Sequence, residues 1–433
     1  MIQPQTAIAA YLARRAVAAE RVQLPDGPNP ELVVVIPAMA EWPGLLDTLR
    51  DLEDAVSPET GHRVLVLVAV NHPKGAASDV QENNRRTLES LADPVKLGLR
   101  HLRLGVIDAA SVPAIPEKEG VGTARKLGMD LALRLLWEGN RLWGGIVCLD
   151  ADTRVPPSYV EQWLSFFGGE RRWGAVCDAW HLADAGDRAR DAVTAYECRL
   201  RCHDLGLRLA GSPYGYPAIG SAMACSAVAY AAAGGMNRRS AGEDYYFLQA
   251  LAKTGWVEKV PELRVFPAGR ISDRVPFGTG RSIQQALSDA RERPTAYHPE
   301  IYQMLRQVLS ASEALKTESA EAFMRRLEQT DEPAGIFFAR AGFPEIWPRI
   351  AATHREPAAR SRAFHEWFDA FRTLKFIHFL RDSGRPMVPP EEAGKSILEI
   401  ICPDDPADKP LIDRLRQACR IVNPGPWGLR APG

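Results

Sequence analysis

Two short acidic segments are the places where this chain could do chemistry. In the first, Asp150 and Asp152 are separated by one alanine and follow an apolar run at 145–149. Two carboxylates at the end of a buried strand are costly unless a cation or hydrogen bonds satisfy them, and a hard divalent ion suits them. A helix cap formed by Asp152 or Thr153 is the alternative interpretation, because a helix is predicted shortly afterwards.

The second acidic segment is Glu243 and Asp244, which open a predicted helix that runs to about Thr254. One of these carboxylates could act as a general base that takes the proton of an acceptor hydroxyl. Acidic residues in a first helical turn also complement the helix dipole, so a purely structural role is the alternative. The preceding turn at 233–237 contains two glycines, which would let the backbone approach a ligand closely.

Strand and helix patterns alternate over the first two thirds of the chain and would position both segments. Apolar, β-branched runs predict buried strands at 32–36, 64–70, around 102–106 and at 145–149, and a helix is predicted at 123–137. This alternation predicts an α/β fold with a mainly parallel sheet, in which ligands bind at the carboxyl ends of the strands. Segments 37–41, 71–74 and 150–153 would therefore meet at one edge of the sheet.

Helical patterns dominate the last third of the chain. Helices are predicted at 282–293, 299–309, 320–329 and 360–381. The sequence thus predicts three parts: an N-terminal helix within 1–30, an α/β domain at 31–280 and an α-helical C-terminal region at 281–433.

Composition excludes several classes of protein. With 46% hydrophobic and 25% charged residues, the 433-residue chain is globular rather than disordered. Its net charge of -1 provides no overall basic field, so nucleic acid is not an expected partner. Residues 1–20 lack the apolar core of a secretory signal, and the stretch 218–236 is too weakly apolar to span a bilayer. Seven cysteines without CxxC pairs indicate a reduced, cytoplasmic setting.

Four segments, in order along the chain, resemble the motifs of family 2 glycosyltransferases. They are VVVIPAMAE at 33–41, GTARKLG at 122–128, DAD at 150–152, and GGM at 234–236 followed by GED at 242–244. The family's counterparts are the opening strand with its nucleotide loop, the G-x-A-R-N-x-G helix start, the metal-binding DxD and the GGF…ED segment. The resemblance covers about 31–280. It implies the GT-A fold, a Rossmann-like, mainly parallel sheet flanked by helices, and a nucleotide-diphospho-sugar donor.

The resemblance also implies which residues hold the donor. Pro37, Ala38 and Glu41 would line the nucleoside pocket, and Arg125 would lie over the base or the diphosphate. The family's second strand normally ends in an aspartate that reads the base, whereas this chain has Asn71. An asparagine carbonyl could accept the same hydrogen bond, but its amide could equally serve a different base, which leaves the donor nucleoside open.

For the metal and the chemical step, the resemblance again names residues. Asp152, with Asp150 nearby, would hold Mn²⁺ or Mg²⁺, which neutralises charge on the departing nucleoside diphosphate. Asp244 would be the catalytic base, with Glu243 the less favoured choice. The implied reaction is one in-line displacement at the anomeric carbon, with inversion.

A loop at 272–281 lies about where family members place a mobile loop over the diphosphate. Arg274, Arg281 and backbone N–H groups there could contact phosphate oxygens. A solvated turn before the next helix is the alternative.

The resemblance implies a metal-dependent, inverting glycosyltransferase of the hexosyltransferase type that acts on an unidentified hydroxyl acceptor. Its C-terminal helices would shape the acceptor side, dock a partner or touch a membrane surface as a peripheral protein. Two alternatives remain: a retaining glycosyltransferase or nucleotidyltransferase on the same fold, and a non-catalytic nucleotide-sugar-binding or scaffold protein. The oligomeric state is left open.

Overall fold

The computed structural model describes residues 3–111, 115–116, 119–169, 171–183, 186–270, 294–403, 408–422 and 427–428. The chain forms two compact units. The first comprises Met1–Asp184, Ala218–Arg281 and Pro432–Gly433, and the second comprises Ala185–Pro217 and Ser282–Ala431. Within the described residues, no helix has the length and apolar character needed to cross a membrane.

Strands and helices alternate in the first unit. Its strands are β1 (Val22–Gln23), β2 (Leu32–Ala38), β3 (Val64–Asn71), β4 (Leu104–Ala109), β5 (Gly145–Cys148), β6 (Thr153–Arg154), β7 (Gly174–Ala179), β8 (Leu182–Ala183), β9 (Met223–Ser226) and β10 (Trp256–Gly269). Its helices are α1 (Pro4–Arg14), α2 (Leu45–Asp54), α3 (Pro58–Gly61), α4 (Ser78–Leu91), α5 (Val121–Glu138), α6 (Tyr159–Gly168), α8 (Ala227–Ala232) and α9 (Glu243–Thr254), while α7 (Asp187–Leu209) belongs to the second unit. Short 3₁₀ helices occur at Pro94–Leu97 and Gly220–Ala222.

The sheet of the first unit has the strand order β1-β4-β3-β2-β5-β9-β7-β10, with β6 and β8 paired to β10. The pairs β2–β3, β3–β4, β2–β5 and β7–β10 are parallel, whereas β9 runs antiparallel to both β5 and β7. Six strands (β2, β3, β4, β5, β7 and β10) therefore point the same way, and their carboxyl ends share one edge. The predicted α/β architecture with a mainly parallel sheet is confirmed.

Helices cover both faces of this sheet, and β2 is therefore buried on both sides. Val34 belongs to the core cluster that also contains Trp163 of α6, whereas Val35 contacts α5. Successive strand residues point to opposite faces, so α6 and α5 lie on opposite sides. At Gly128 a Cβ atom would overlap Val35, so the glycine lets α5 lie close to the strand.

The second unit is helical. It contains α7, α10 (Pro299–Ser312), α11 (Ala320–Thr330), α12 (Glu332–Arg340), α13 (Phe343–Thr353), α14 (Pro357–Trp367), α15 (Ala370–Asp382), α16 (Pro390–Ile401) and α17 (Leu411–Ile421), with a 3₁₀ helix at Glu313–Lys316 and the two-residue strand β11 (Trp427–Gly428). Its core includes buried phenylalanines and tryptophans from α11 to α15, and α7 packs against α16 and α17.

One predicted helix is divided in the structure. The predicted helix at 360–381 is two helices, α14 and α15, separated at Phe368 and Asp369. The Asp369 side chain accepts a hydrogen bond from the Arg372 backbone N–H at 3.0 Å, which caps the second helix. The apolar periodicity continues across the break and therefore predicted one continuous helix. The capping residue Asp369 was the feature of the sequence that indicated a second helix start. The helix predicted at 282–293 lies outside the described residues.

A buried polar cluster fixes the N-terminal helix to the first unit. The Tyr11 hydroxyl donates to Asp130 Oδ1 at 2.7 Å, the Tyr230 hydroxyl donates to the same oxygen at 2.8 Å, and Lys126 Nζ lies 2.9 Å from Asp130 Oδ2. Because Asp130 is buried, these partners compensate the desolvation of its charge. Gly235 makes room for the contact, since a Cβ there would overlap the Tyr11 hydroxyl.

This packing predicts different outcomes for two neighbouring glycine variants. Gly234 and Gly235 both have positive φ, at 86° and 76°, so alanine at either position costs about 1–2 kcal/mol. Gly235→Ala adds the overlap with Tyr11, whereas a Cβ at Gly234 meets only the end of the flexible Arg15 side chain. Thermal unfolding should show Gly235→Ala melting at the lower temperature, and equal melting temperatures would contradict this packing.

Candidate functional site

Residues from four strand ends meet at the carboxyl edge of the sheet. Glu41 follows β2, Asn71 ends β3, Asp150 and Asp152 follow β5, and Arg270 follows β10. The start of α5 and the start of α9 add further side chains here, through the contacts described below. The edge thus gathers polar residues that are far apart in sequence, as expected for ligand sites in open parallel sheets.

Arg125 joins the two acidic segments of the sequence. Its Nη1 donates to Glu243 Oε1 and its Nη2 donates to Asp150 Oδ1. The Arg125 and Glu243 side chains are 4% and 5% exposed, whereas that of Asp150 is 36% exposed. The segment around 150 and the helix start at 243 therefore lie in one site, on either side of a single buried guanidinium.

Two glycines make the position of Arg125 possible. A Cβ at Gly220 would overlap the Arg125 guanidinium. A Cβ at Gly122 would lie 2.6 Å from the Asn237 carbonyl oxygen, and the Gly122 N–H donates to the Arg239 carbonyl at 3.1 Å. The first turn of α5 is thereby held against the segment that leads to Glu243, which fixes Arg125 between its partners.

A second arginine, Arg270, bridges two further carboxylates. Its Nη2 lies 2.6 Å from both carboxylate oxygens of Glu41, and its Nε lies 2.8 Å from Asp152 Oδ2. The Glu41 side chain is 9% exposed and that of Asp152 is 25% exposed, while Arg270 is 35% exposed. Arg270 is thus the more accessible of the two arginines at this edge.

Burial raises the pKa of Asp152 to about 6, and the neighbouring carboxylates of Asp150 and Glu41 act in the same direction while Arg270 opposes them.

Neither Asp152 nor Thr153 caps a helix, because Thr153 lies in β6 and the next helix, α6, begins at Tyr159. The capping alternative for this segment is therefore wrong.

Asp244 differs from its neighbour Glu243. It remains partly exposed, and among the described residues it forms no ion pair within 4.0 Å. One carboxylate oxygen accepts the Tyr245 backbone N–H at 2.7 Å. Burial raises the pKa of Asp244, opposed by the nearby charge of Arg125 and reinforced by that of Asp150. Both acids lie in the first turn of α9, after Gly242 with φ of 69°.

Asn71 is held with its amide nitrogen turned toward the protein. The Nδ2 group donates to the carbonyl oxygens of Ala38 at 3.2 Å and Ala69 at 3.1 Å, so the side-chain oxygen is the atom left to accept from a ligand. Asn84 of α4 donates to the Asn71 carbonyl at 2.8 Å and accepts from the Ala40 N–H at 2.9 Å. Asn84 thus connects the loop after β2 to the end of β3 through hydrogen bonds.

The remaining predicted residues fall into two groups. Pro37 and Ala38 are buried in β2, where they pair with Ala69 and Val70 of β3. Arg274 and Arg281 lie outside the described residues.

Three residues that the sequence analysis did not single out contribute to the site: Arg270, Gly220 and Asn84. For Arg270 the available signal was its position directly after the apolar end of β10. Nothing local marks Gly220 or Asn84, because their importance comes from contacts with distant segments.

The residues present suit a divalent cation only in part. Among the described residues, no group of three His, Cys, Asp or Glu side chains converges as a metal site. Mg²⁺ and Mn²⁺, however, commonly take one or two carboxylates together with phosphate oxygens. The guanidinium of Arg270 against Asp152 and Glu41 shows that a positive group fits between these carboxylates. The carboxylates of Asp152 and Glu41 therefore already lie on either side of a bound positive group.

Comparisons with known proteins identify structural neighbours only. No family model matches the chain, and no curated protein matches its sequence. S. aureus TarS 1-349 in complex with UDP-GlcNAc is 10% identical, with 82% of this chain and 92% of that chain covered and a TM-score of 0.37. The mannosyltransferase PcManGT from Pyrobaculum calidifontis, in complex with GDP-Man and Mn²⁺, is 14% identical, with 96% and 94% covered and a TM-score of 0.33. Similarities of this size establish no activity.

The raised pKa of Asp152 predicts a pH-dependent stability difference. Its value of about 6, against the ordinary 3.8, means that the unfolded chain loses this proton first as pH rises. Between about pH 4 and 6 the contribution of Asp152 to stability therefore falls, and it stays unfavourable above that range. Asp152→Asn should be more stable than the wild type at pH 7.5 by about 1 kcal/mol, after allowance for exposure and the lost ion pair.

The measurement is thermal unfolding at pH 7.5 and pH 5, where the advantage of Asp152→Asn should shrink because the wild-type carboxyl gains its proton. Asp93→Asn is the matched control: Asp93 is exposed, and hydrogen bonds from Lys96 lower the pKa of its carboxyl. This control variant should gain no stability at either pH. A lower melting temperature for Asp152→Asn at pH 7.5 would show that the ion pair with Arg270 outweighs burial.

Proposed function

We propose that this chain is a metal-dependent, inverting glycosyltransferase that moves a sugar from a nucleotide-diphospho-sugar to a hydroxyl acceptor. The observation that carries the proposal is the bridge formed by Arg125 between Asp150 and Glu243. It brings the DAD and GED segments of the family 2 resemblance into one site. The order of the four motifs and the carboxyl edge of a mainly parallel sheet support the same conclusion.

Asp244 is the proposed base. Its neighbour Glu243 is buried and paired with Arg125, whereas Asp244 is partly exposed and can meet a substrate hydroxyl. A raised pKa makes a carboxylate a better proton acceptor near neutral pH. The two acids in the first turn of α9 therefore have different proposed roles: Glu243 positions Arg125, and Asp244 takes the proton.

The net negative charge of the site favours binding of a cation together with the donor. Among the described residues, five carboxylates and two guanidinium groups form this cluster, a formal excess of three negative charges when all are ionised; its members are Glu41, Asp150, Asp152, Glu243, Asp244, Arg125 and Arg270. A diphosphate adds further negative charge and would be repelled by this cluster. A Mg²⁺ or Mn²⁺ ion held by Asp152 and Asp150 would neutralise charge on the leaving diphosphate.

The chemistry that follows is a single displacement. As the acceptor oxygen forms its bond to the anomeric carbon, the bond from that carbon to the phosphate oxygen breaks, and the nucleoside diphosphate leaves with both electrons. Asp244 accepts the proton of the attacking hydroxyl. Asn71 offers its side-chain oxygen to a donor group of the base, and Arg125 keeps Asp150 and the start of α9 in place.

Donor binding is the first test. Thermal shift with a panel of nucleotide-sugars, with and without Mn²⁺, should reveal stabilisation that grows with ligand concentration over its dissociation constant. UDP-GlcNAc and GDP-mannose belong in the panel because structural neighbours were solved with them. Stabilisation by at least one donor, greater with Mn²⁺ than without, is expected. No response to any donor would overturn the proposal.

Replacing the proposed base should separate binding from turnover. Asp244→Asn is expected to lower the transfer rate by about 10²–10⁴-fold, while its donor affinity stays within a few-fold of the wild type. Because burial raises the pKa of Asp244, the wild-type rate should begin to fall at a higher pH than an aspartate of ordinary pKa would allow as pH decreases. Single-turnover assays with the responding donor, over a pH series, measure both effects.

Asp79→Asn is the matched control, since Asp79 is an exposed acid in the first turn of α4. If Asp244 only complements a helix dipole, both variants should lose a little stability and keep full transfer. Product stereochemistry, followed by NMR at the anomeric carbon, distinguishes inversion from retention. A non-catalytic binding protein would bind the donor without turnover in any variant, including the wild type.

A further inference from the structure

The most informative contact outside the proposed chemistry is the one between Arg270 and two carboxylates. Arg270 donates to Glu41 and Asp152 from different nitrogens, at 2.6 Å and 2.8 Å. Its side chain is 35% exposed and directly follows the last residue of β10. By contrast, the Arg125 side chain is 4% exposed and its guanidinium lies against Gly220. Of the two arginines, Arg270 is the one that can leave its partners.

We propose, on the basis of the function proposed above, that Arg270 is an exchangeable counter-ion that competes with the divalent cation for Asp152. Without a donor, its guanidinium neutralises Asp152 and Glu41. When the donor arrives with its cation, the cation takes Asp152 and Arg270 leaves that carboxylate. The protein therefore binds the cation weakly by itself and well only together with the nucleotide.

Two physical reasons support exchange rather than joint occupancy. First, the Nε of Arg270 already lies at hydrogen-bond distance from Asp152 Oδ2, and a cation at that oxygen would repel the guanidinium at close range. Second, the donor diphosphate offers a replacement partner, because guanidinium groups bind phosphate oxygens through paired hydrogen bonds. The diphosphate would thus replace Asp152 as a partner of the Arg270 guanidinium, and its oxygens would serve as further ligands of the cation.

Thermodynamic linkage makes the exchange measurable. If Arg270 and the cation compete for Asp152, removing Arg270 must strengthen binding of the cation alone. A residue that only stabilises the fold would have no such effect. The readout is therefore Mn²⁺ affinity in the absence of any nucleotide, which is independent of catalytic activity.

The experiment titrates Mn²⁺ into the full chain at pH 7.5 and follows free Mn²⁺ by electron paramagnetic resonance. Arg270→Gln should bind Mn²⁺ at least about tenfold more tightly than the wild type, a difference of about 1.4 kcal/mol. Arg270→Lys keeps the positive charge and should remain close to the wild type. Adding Asp152→Asn to Arg270→Gln should abolish the gain.

Arg264→Gln is the matched control. Arg264 lies on β10 over the Trp180 ring, 4.5 Å from its centroid, and near Glu262 rather than Asp152. The same loss of charge at this position should leave Mn²⁺ affinity unchanged. An equal gain in both variants would mean that net charge alone is responsible, and it would overturn the exchange.

The outcomes separate this inference from the proposed function. Unchanged or weaker Mn²⁺ binding by a folded Arg270→Gln protein would overturn the exchange, while donor binding in the thermal-shift panel would leave the glycosyltransferase proposal standing. A wild-type protein that binds no nucleotide-sugar with or without Mn²⁺ would overturn both. Melting temperatures of each variant establish that the titrated protein is folded.

Discussion

The burial of the Arg125 guanidinium is the constraint on which the rest of the site depends. A guanidinium stays charged at every pH that a protein experiences, so burying it is costly unless carboxylates match it. Asp150 and Glu243 provide the match from two segments that are distant in sequence. Removing one partner from a buried pair typically costs about 3–5 kcal/mol. The end of β5, the start of α5 and the start of α9 are therefore held in one arrangement.

This constraint also gives the two carboxylates of each acidic segment different surroundings. In both segments one carboxylate pairs with Arg125 and the other does not. Asp150 and Glu243 form these ion pairs, whereas Asp152 pairs with the more exposed Arg270, and Asp244 forms no ion pair within 4.0 Å among the described residues. The pKa values of Asp152 and Asp244 are both raised by burial. Burial thus penalises the ionisation of both carboxylates that do not pair with Arg125, as is common at functional sites.

The sequence was sufficient for the parts that depend on local pattern. Buried β-branched runs predicted β2 and β3, and strand–helix alternation predicted the parallel sheet and the edge at which Asp150 lies. Contacts between distant segments had no such signal. The partner of Asp152, the glycine that admits Arg125 and the break between α14 and α15 depend on tertiary contacts or on a single cap. The predicted domain boundaries and the roles assigned to individual site residues remain predictions.

The two arginines differ in a way that follows from their surroundings. Arg125 is enclosed by backbone and side chains, so its carboxylate partners are oriented before any ligand binds, and preorganised charges of this kind need no rearrangement during a reaction. Arg270 extends from the end of a strand and remains one-third exposed, so its ion pairs are screened by solvent and cost less to break. A site that must admit a highly charged donor needs both kinds of contact. The fixed pair preserves the geometry, and in the exchange proposed above the exposed pair is the one that phosphate and metal replace.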